Sequence, residues 1–159
     1  MDIHFTSIGT VSSPFKSPVD APIQPKGAQG IRGAITISKE LEDGLRDIEG
    51  FSHLYIFYLF HQSESFDLEV TPFMDDTSHG VFATRAPRRP NQLGMSIVKL
   101  VEKKENVLII EDVDMIDGTP IIDIKPYAPQ FDERKNVQTG WLKKNANVET
   151  ARSDNRFSR

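Results

Sequence analysis

The sequence predicts a mainly β fold, a small and largely antiparallel barrel with one early helix and a weaker helix near the C-terminus. Short segments that alternate apolar and polar residues, or that are rich in β-branched and aromatic residues, recur over the first 127 residues. These segments do not alternate regularly with helices, which argues against a parallel doubly wound sheet. Closure into a barrel would remove the exposed strand edges that such a set of strands otherwise leaves.

Eight segments carry the strand pattern. The pair Glu105-Asn106 separates two apolar runs and predicts a tight hairpin between them. The stretch FSHLYIFYLF is apolar on both faces in its second half, which is typical of a covered strand. The predicted strands span 4–11, 31–37, 51–60, 65–73, 80–85, 95–104, 106–116 and 119–127.

One early helix is predicted over the segment KELEDGLRDIEG, which follows Ser38 as a possible N-cap. Leu41, Leu45 and Ile48 recur at i, i+4 and i+7 and so would form one apolar stripe along a helix. Gly50 is a typical residue at a helix C-terminus. The segment is therefore expected to pack one helical face on the barrel.

A chain of 159 residues is long enough to bury the core of one domain. We expect the barrel domain to span 1–132 and a C-terminal extension to span 133–159, with a weaker helix within 131–145 and a polar tail that frays. The sequence has no cysteine, which excludes disulfides, thiolate zinc sites and cysteine nucleophiles. It has neither a signal-peptide pattern nor an apolar run that could span a membrane, so a cytoplasmic protein is expected.

Positive charge is concentrated in one stretch of a chain whose formal net charge is −4. GVFATRAPRRPNQLGMS, residues 80–96, holds three arginines and no carboxylate, and two prolines stiffen it. The planar donor forks of Arg88 and Arg89 suit phosphate or carboxylate groups, and Asn91 suits a base edge. Gly94 is expected to allow a tight turn into the next strand. We interpret the stretch as a site for an anionic partner; the alternative is a solvated loop whose arginines pair with the protein's own acids.

A second stretch, DMIDGTPIIDIKPY, covers residues 114–127 and contains the turn signal Asp117-Gly118. The glycine would let a ligand approach the backbone closely. Asp114, Asp117 and Asp123 could bind a ribose diol, a positively charged ligand or a metal. Alternatively, Asp117 caps its own turn and the other two aspartates face solvent, and spacing alone leaves both interpretations open.

The histidines do not show a recognised metal-binding spacing. His53 and His61 would lie roughly 26 Å apart on one strand, and neither HxH nor HExxH occurs. A hydrolase that uses Asp75, Asp76 and histidines with a metal is kept as a rival hypothesis. The sequence lacks a Walker loop, a Rossmann glycine fingerprint and a serine hydrolase elbow, which argues against those enzyme classes.

Together, the stretches 80–96 and 114–127 resemble the signatures of a family of S-adenosylmethionine-dependent tRNA (adenine-N6)-methyltransferases with a small β-barrel. GFSHLYIFYLFHQ, residues 50–62, is similar to that family as well. The resemblance implies methyl transfer from S-adenosylmethionine to N6 of a threonylcarbamoylated adenosine beside the tRNA anticodon, by a homodimer. The alternative is a binding module in which the same barrel holds RNA or a small anion without catalysis.

The resemblance also implies roles for individual residues. Asp117 and Asn91 are candidates to orient or remove the proton of the target nitrogen. RNA contacts are expected from Arg88, Arg89 and Lys125, and no metal is expected. The residues expected to bind the cofactor are Gln29, His61, Gln62, Arg85, Met95, Ser96, Asp114, Asp117, Gly118 and Thr119.

Overall fold

The computed structural model describes residues 1–144, and the polar tail that is expected to fray lies outside the described residues. Within this part of the chain, eight strands form, and most of them are short. The strands are β1 (Gly9–Ser12), β2 (Arg32–Ile37), β3 (His53–Leu59), β4 (Glu69–Val70), β5 (His79–Gly80), β6 (Leu93–Lys104), β7 (Val107–Glu111) and β8 (Pro120–Pro126).

Helical segments in the described chain are short and are mostly 3₁₀ turns. One α-helix, α1, spans Pro129–Asp132. The 3₁₀ segments are Pro18–Asp20, Pro25–Ala28, Lys39–Leu45, Ile48–Gly50, Val81–Ala83 and Gly140–Lys144.

Six strands close into an antiparallel barrel in the order β1-β2-β7-β6-β3-β8, which confirms the predicted fold class. The barrel closes where β1 pairs with β8, with Gly9 opposite Ile121. The longest ladder joins β3 to β6. β4 and β5 form a separate two-stranded sheet. Closure pairs both sides of every barrel strand, as expected for a small β domain without free edges.

The barrel interior is filled by side chains from alternate strand positions. On β3, for example, Leu54, Ile56 and Tyr58 are buried, whereas the residues between them are more exposed. The other members of this core are Val11, Ile35, Ile37, Leu45, Val98, Leu108, Ile110, Val113, Met115 and Ile121.

The hairpin predicted at Glu105-Asn106 is confirmed, because Lys104 pairs with Val107 across this two-residue turn. Glu105 has a φ of 52°, as tight hairpin turns require. The Asn106 side-chain amide donates to the carbonyl oxygen of Ile37 at 2.5 Å. This bond ties the hairpin to the neighbouring strand β2.

The early helical segment is present, but it consists of 3₁₀ turns and not of a continuous α-helix. Asp47, with a φ of 66°, separates its two halves. A 3₁₀ helix has three residues per turn, so residues spaced for an α-helical stripe do not stay on one face. Leu45 is accordingly buried, whereas Leu41 is 43% exposed. The Ser38 side chain makes no capping hydrogen bond.

The strand predicted over 80–85 is wrong for most of its length. Val81–Ala83 forms a 3₁₀ turn, and the Thr84 hydroxyl donates to the carbonyl oxygen of Val81 at 2.8 Å. Local hydrogen bonds of this kind compete with sheet pairing. The strand predicted over 65–73 is likewise reduced to the two residues of β4.

The C-terminal part of the described chain contains α1 and the 3₁₀ turn Gly140–Lys144, in the region of the predicted weaker helix. The division between 1–132 and 133–159 stays a prediction. In residues 1–144, every helix is too short or too polar to cross a membrane.

Candidate functional site

One end of the barrel opens into a cavity of about 710 Å³, a volume typical of small-molecule sites. Three loops from the first half of the chain, two from the second half and the last described turn surround it. The wall is formed by the adjoining ends of β3 and β6, by Thr119 just before β8, and by residues of the segments 18–24, 60–63, 72–74, 82–89, 114–116 and 141–142. The stretches 80–96 and 114–127 therefore meet at this cavity.

Asp114 is buried in the wall of the cavity. Ser96 Oγ lies 2.7 Å from Asp114 Oδ1 and 3.2 Å from the Tyr58 hydroxyl oxygen. Because serine has a single hydroxyl proton, an ionised Asp114 is best satisfied when Tyr58 donates to Ser96 and Ser96 donates to Asp114. Burial raises the pKa of Asp114 to about 7, against the hydrogen bond from Ser96. A carboxyl group with this pKa can exchange a proton with a ligand at neutral pH.

Gly94 makes room for the ring of Tyr58, its partner on the neighbouring strand. A Cβ at this position would lie 2.3 Å from Tyr58 Cε2. The prediction that Gly94 serves a turn into β6 is wrong, since the residue already lies in the strand. Its missing side chain instead lets the ring lie across β6, which sets the Tyr58 hydroxyl beside Ser96. Burial raises the pKa of Tyr58, so the hydroxyl keeps its proton.

Arg85 brings positive charge to the cavity. Its Nη1 donates to Gln24 Oε1 at 2.8 Å, which connects the early loop to the basic stretch. Its charge also works against the rise in the pKa of Asp114. Within the described chain Arg85 forms no ion pair, so its guanidinium is available to an anionic group of a ligand.

Arg88 and Arg89 turn toward the protein itself. Arg88 Nε donates to Asp67 Oδ2 at 2.7 Å, and the Arg88 side chain is 14% exposed. Arg89 Nη1 donates to the carbonyl oxygens of Thr84 at 3.1 Å and Ala86 at 3.4 Å. These contacts hold the shape of the basic stretch. For Arg88, the pairing with an acid of the same chain is the arrangement that the alternative interpretation predicts.

His61 and Thr119 lie together in another part of the wall. His61 Nδ1 is 3.3 Å from Thr119 Oγ1. Thr119 is buried, and its carbonyl oxygen accepts a hydrogen bond from the Val11 N–H at 3.0 Å. Gln62 follows His61 in the lining. These side chains add polar groups to this part of the cavity wall.

Asp117 is engaged in its own loop and lies outside the cavity lining. Its Oδ1 accepts the Ser13 N–H at 3.0 Å, and its Oδ2 is 2.6 Å from Lys16 Nζ. The hydrogen bonds from Lys16 and Ser13 lower the pKa of Asp117, which makes it a weaker base than an ordinary aspartate. Gly118 follows with a φ of 76°, a conformation that favours glycine. These contacts stabilise the turn.

The structure brings part of the predicted site together. Ser96 lies behind the lining in contact with Asp114. The predicted residues that line the cavity are His61, Gln62, Arg85, Arg89, Met95, Asp114 and Thr119. Outside the lining lie Gln29, Arg88, Asn91, Asp117, Gly118 and Lys125.

Sequence reasoning missed three residues of the site. Tyr58 fits the apolar pattern of a core strand, and its hydroxyl is the one signal of a polar role. Gln24 lies in a proline-rich loop whose composition indicates no contact. Trp141 is the only tryptophan in the sequence, which could have drawn attention to it. Its Nε1 donates to the Ala83 carbonyl oxygen at 2.9 Å.

His79 and Asp75 form a pair close to the cavity, with His79 Nε2 2.9 Å from Asp75 Oδ2. The hydrogen bond from His79 lowers the pKa of Asp75. Over residues 1–144, no group of three or more histidine or carboxylate side chains could hold a metal ion. The rival metal hydrolase hypothesis therefore lacks a ligand set in this part of the chain.

Residues 10–133 match the family described as tRNA-methyltransferase O N-terminal domain. A probable S-adenosyl-L-methionine-binding protein of Pyrococcus abyssi is 53% identical over 156 residues, which are 98% of this chain and 85% of that protein. A tRNA (adenine(37)-N6)-methyltransferase of Mus musculus is 34% identical over 137 residues. These cover 82% of this chain and 32% of the mouse protein.

The crystal structure of TrmO from Pseudomonas aeruginosa is also similar, with a TM-score of 0.75 and 33% sequence identity. The similarity covers 89% of this chain and 63% of that one. This chain therefore spans about the length of its archaeal relative but less than two thirds of the bacterial structure and about a third of the mouse enzyme. The family match, the shared barrel and the two motifs that meet at one cavity lead to one conclusion: this chain belongs to the family of tRNA-methyltransferase O N-terminal domains.

Proposed function

We propose that this protein transfers a methyl group from S-adenosylmethionine to N6 of adenine 37 in tRNA, the activity for which its mammalian relatives are named. The observation that carries the proposal is the meeting of the stretches 80–96 and 114–127 at one cavity. There, the buried carboxyl group of Asp114 and the cationic Arg85 share a wall. S-adenosylmethionine has a positively charged sulfonium and a carboxylate, so its site needs an anionic group such as Asp114 and a cationic group such as Arg85.

The cavity fits S-adenosylmethionine in size and in the chemistry of its lining. Its volume of about 710 Å³ lies in the usual range for cofactor sites. Arg85 would bind the carboxylate of the methionine part, His61 and Thr119 would meet polar groups, and Met95 would give apolar surface. When bound, the cofactor supplies an already activated methyl group. The main contribution of the chain is then to align the target nitrogen.

The target nitrogen exchanges an N–H bond for an N–CH₃ bond, and we propose that Asp114 accepts the released proton. Asp114 lines the cavity, whereas Asp117 is bound by Lys16 and Ser13 and lies outside the lining. Asn91 also lies outside the lining, and an amide is a poor base. The raised pKa of Asp114 makes it a stronger base than an ordinary aspartate near neutral pH. Ser96 orients the carboxyl group for this task.

Contacts with tRNA are proposed for the basic stretch and for Lys125 on β8. The Lys125 side chain is 62% exposed, and its Nζ lies 2.9 Å from Asp123 Oδ2. Arg88 and Arg89 contribute by holding the stretch that the RNA meets. Phosphate contacts of this kind position a nucleic acid without selecting its sequence. A cytoplasmic location remains a prediction.

We also propose that two chains associate through the outer face of β3 and β6. Leu59, Leu93 and Met95 lie on this face with 36 to 40% exposure, beside the cavity that they help to line. Tyr55 and Phe57 extend the apolar face along β3. Apolar surface of this kind favours association. Analytical ultracentrifugation should give the mass of a dimer, and Leu93→Asp should give a monomer; a wild-type monomer at all concentrations contradicts this arrangement.

The experiment that tests the activity is incubation of the chain with methyl-labelled S-adenosylmethionine and tRNA, with and without prior threonylcarbamoylation. We expect the label on the adenosine at position 37, located by digestion to nucleosides. Asp114→Asn should bind the cofactor more weakly in calorimetry, because it loses the negative charge that faces the cationic cofactor, and should lower transfer of the label by about 100-fold or more. Asp43→Asn, an exposed aspartate of the 3₁₀ segment Lys39–Leu45 outside the lining, serves as the control. No label in either tRNA sample, together with no heat when the chain is titrated with S-adenosylmethionine, would support the binding-module alternative.

A further inference from the structure

We propose that Trp141 is a stacking platform for a nucleobase of the substrate RNA, a role that rests on the methyltransferase function proposed above. Trp141 lies beyond residues 10–133, which match the family domain. It nevertheless lines the cavity, together with Leu142. The segment that follows the family domain therefore forms part of the wall against which a ligand binds.

The Trp141 ring is fixed by two contacts of different kinds. Its Nε1–H donates to the Ala83 carbonyl oxygen at 2.9 Å, which holds one edge of the indole. The ring stacks on His79, with 4.8 Å between centroids and 16° between planes. His79 is bonded in turn to Asp75 at 2.9 Å, and the other oxygen of that carboxylate accepts two backbone N–H groups. A ring oriented in advance loses little entropy when a ligand binds.

The surroundings of Trp141 suit a base that enters from solvent as part of a polymer. Phe82 is 77% exposed, and Leu142 is exposed as well, so the wall is open on this side. Asp114, in contrast, is buried at the barrel end of the same cavity. Arg85 adds positive charge to the lining, and residues 78–101 contain no carboxylate that would repel RNA phosphates.

Stacking of unpaired bases on aromatic side chains is the usual way in which proteins bind single-stranded RNA. Trp141 has its one polar atom satisfied by Ala83 and part of its π surface covered by His79. The surface that it presents to the cavity is therefore apolar and flat, which matches a nucleobase. The competing occupant is the adenine of S-adenosylmethionine, and fluorescence separates the two.

Trp141 is the only tryptophan in the sequence, so its fluorescence reports this position alone. The full wild-type chain is titrated with a synthetic anticodon stem-loop that carries adenine 37 and, separately, with S-adenosylhomocysteine. We expect the stem-loop to quench the emission and S-adenosylhomocysteine to leave it nearly unchanged. A comparable response to S-adenosylhomocysteine would assign the platform to the cofactor and overturn the proposal. No response to the stem-loop would overturn it as well.

Variants test the same platform without fluorescence. Trp141→Leu removes the stacking surface, and Trp141→Phe keeps an aromatic ring. We expect Trp141→Leu to raise KM for tRNA by about 5- to 100-fold, the usual range for a lost base stack, while kcat and cofactor affinity stay nearly constant. Trp141→Phe should retain most of the tRNA affinity. Phe131→Leu, which changes an exposed aromatic residue outside the cavity lining, is the matched control.

Equal losses of tRNA affinity in Trp141→Leu and Trp141→Phe would show that the Nε1–H hydrogen bond to Ala83, and not the stack, matters for binding. This result would overturn the proposal. A weaker affinity of Trp141→Leu for S-adenosylhomocysteine would do the same. If Trp141→Leu does not fold, the wild-type titration decides alone.

Failure of the methyltransferase proposal gives a different result: quenching by the stem-loop without methylated adenosine supports the platform and contradicts the activity. Methyl transfer without quenching supports the activity and contradicts the platform.

Discussion

Ser96 donates a hydrogen bond to Asp114 across 2.7 Å, so a single strand residue adjusts the proton affinity of the buried carboxyl group in the cavity. Burial raises the pKa of Asp114, and the bond from Ser96 and the charge of Arg85 lower it. The resulting pKa of about 7 places the change of charge in the neutral range. Chemistry that needs Asp114 as an acceptor is therefore expected to depend on pH.

The rate of methyl transfer should rise as the pH increases through about 7, because Asp114 must lose its proton before it can accept another. Asp114→Asn should lower the rate by about 100-fold or more and abolish this rise. Single-turnover rates at saturating cofactor, measured across the neutral range, provide the test. A wild-type profile that is flat through pH 7 would exclude Asp114 as the acceptor.

The same carboxyl group should make the stability of the fold depend on pH. Its folded pKa of about 7 is above the ordinary value of 3.8, so the folded protein holds the proton more tightly than the unfolded chain does. The stabilising contribution is complete below pH 3.8 and is lost as the pH rises through 7. The free energy of unfolding of Asp114→Asn, relative to wild type, should therefore increase over this window and then level off. Urea unfolding at a series of pH values measures the difference, and a constant difference would contradict the assignment.

Ser96→Ala should move the pH dependence of transfer to higher pH, because it removes a hydrogen bond that lowers the pKa of Asp114. The maximal rate should fall as well, since the carboxyl group is no longer oriented. Tyr58→Phe is the matched control, because its hydroxyl reaches Asp114 only through Ser96. Its effect on the pH midpoint should be smaller. An unchanged pH midpoint in Ser96→Ala would contradict a contribution of the Ser96 hydrogen bond to this pKa.

Gly94→Ala should destabilise the fold by about 1 to 3 kcal/mol, the usual cost of overpacking a core. The added Cβ would lie 2.3 Å from the Tyr58 ring, which must move and carry its hydroxyl away from Ser96. The variant should therefore lose activity as well as stability. Gly44→Ala is the control, since a Cβ there meets nothing within 4 Å. Chemical denaturation that gives equal stabilities for the two variants would contradict this packing.

The pair formed by Arg88 and Asp67 offers a test of how the basic stretch works. If Arg88 holds the stretch through this 2.7 Å bond, Arg88→Ala and Asp67→Ala should each weaken tRNA binding. The double variant should be little worse than either single one, as expected for partners in one interaction. Filter binding or calorimetry at fixed salt provides the measurement. Stronger tRNA binding by Asp67→Ala would instead indicate that Arg88, without its partner Asp67, binds an RNA phosphate directly.

The barrel was accessible from the sequence because strand alternation and turn residues are local signals. The hairpin at Glu105-Asn106 followed from them directly. The early helix was less predictable, since the left-handed conformation of Asp47 depends on how the chain returns to the barrel. The residues next to Asp47 in the sequence do not indicate that it adopts this conformation.

The sequence alone could not distinguish the roles of Asp114 and Asp117. Asp114 and Asp117 are three residues apart, yet one is buried against Ser96 and the other is bound by Lys16. Both partners are distant in sequence, so only the closed barrel reveals them. The same is true of Arg88, whose partner Asp67 is 21 residues away in the chain. Trp141 was missed because its neighbours Ala83 and His79 are distant from it in the sequence.

The seam between the first and last barrel strands has a dynamic consequence. β1 and β8 share two residue pairs, whereas β3 and β6 share seven. Fewer cross-strand bonds make this seam the place where the barrel opens most readily, so its backbone amides should exchange with solvent deuterium sooner than those of the β3–β6 ladder. Thr119 sits at this seam, where its carbonyl accepts the amide of Val11. A ligand that binds Thr119 would then stabilise the seam. Slower deuterium uptake by the Val11 amide would report the binding of such a ligand.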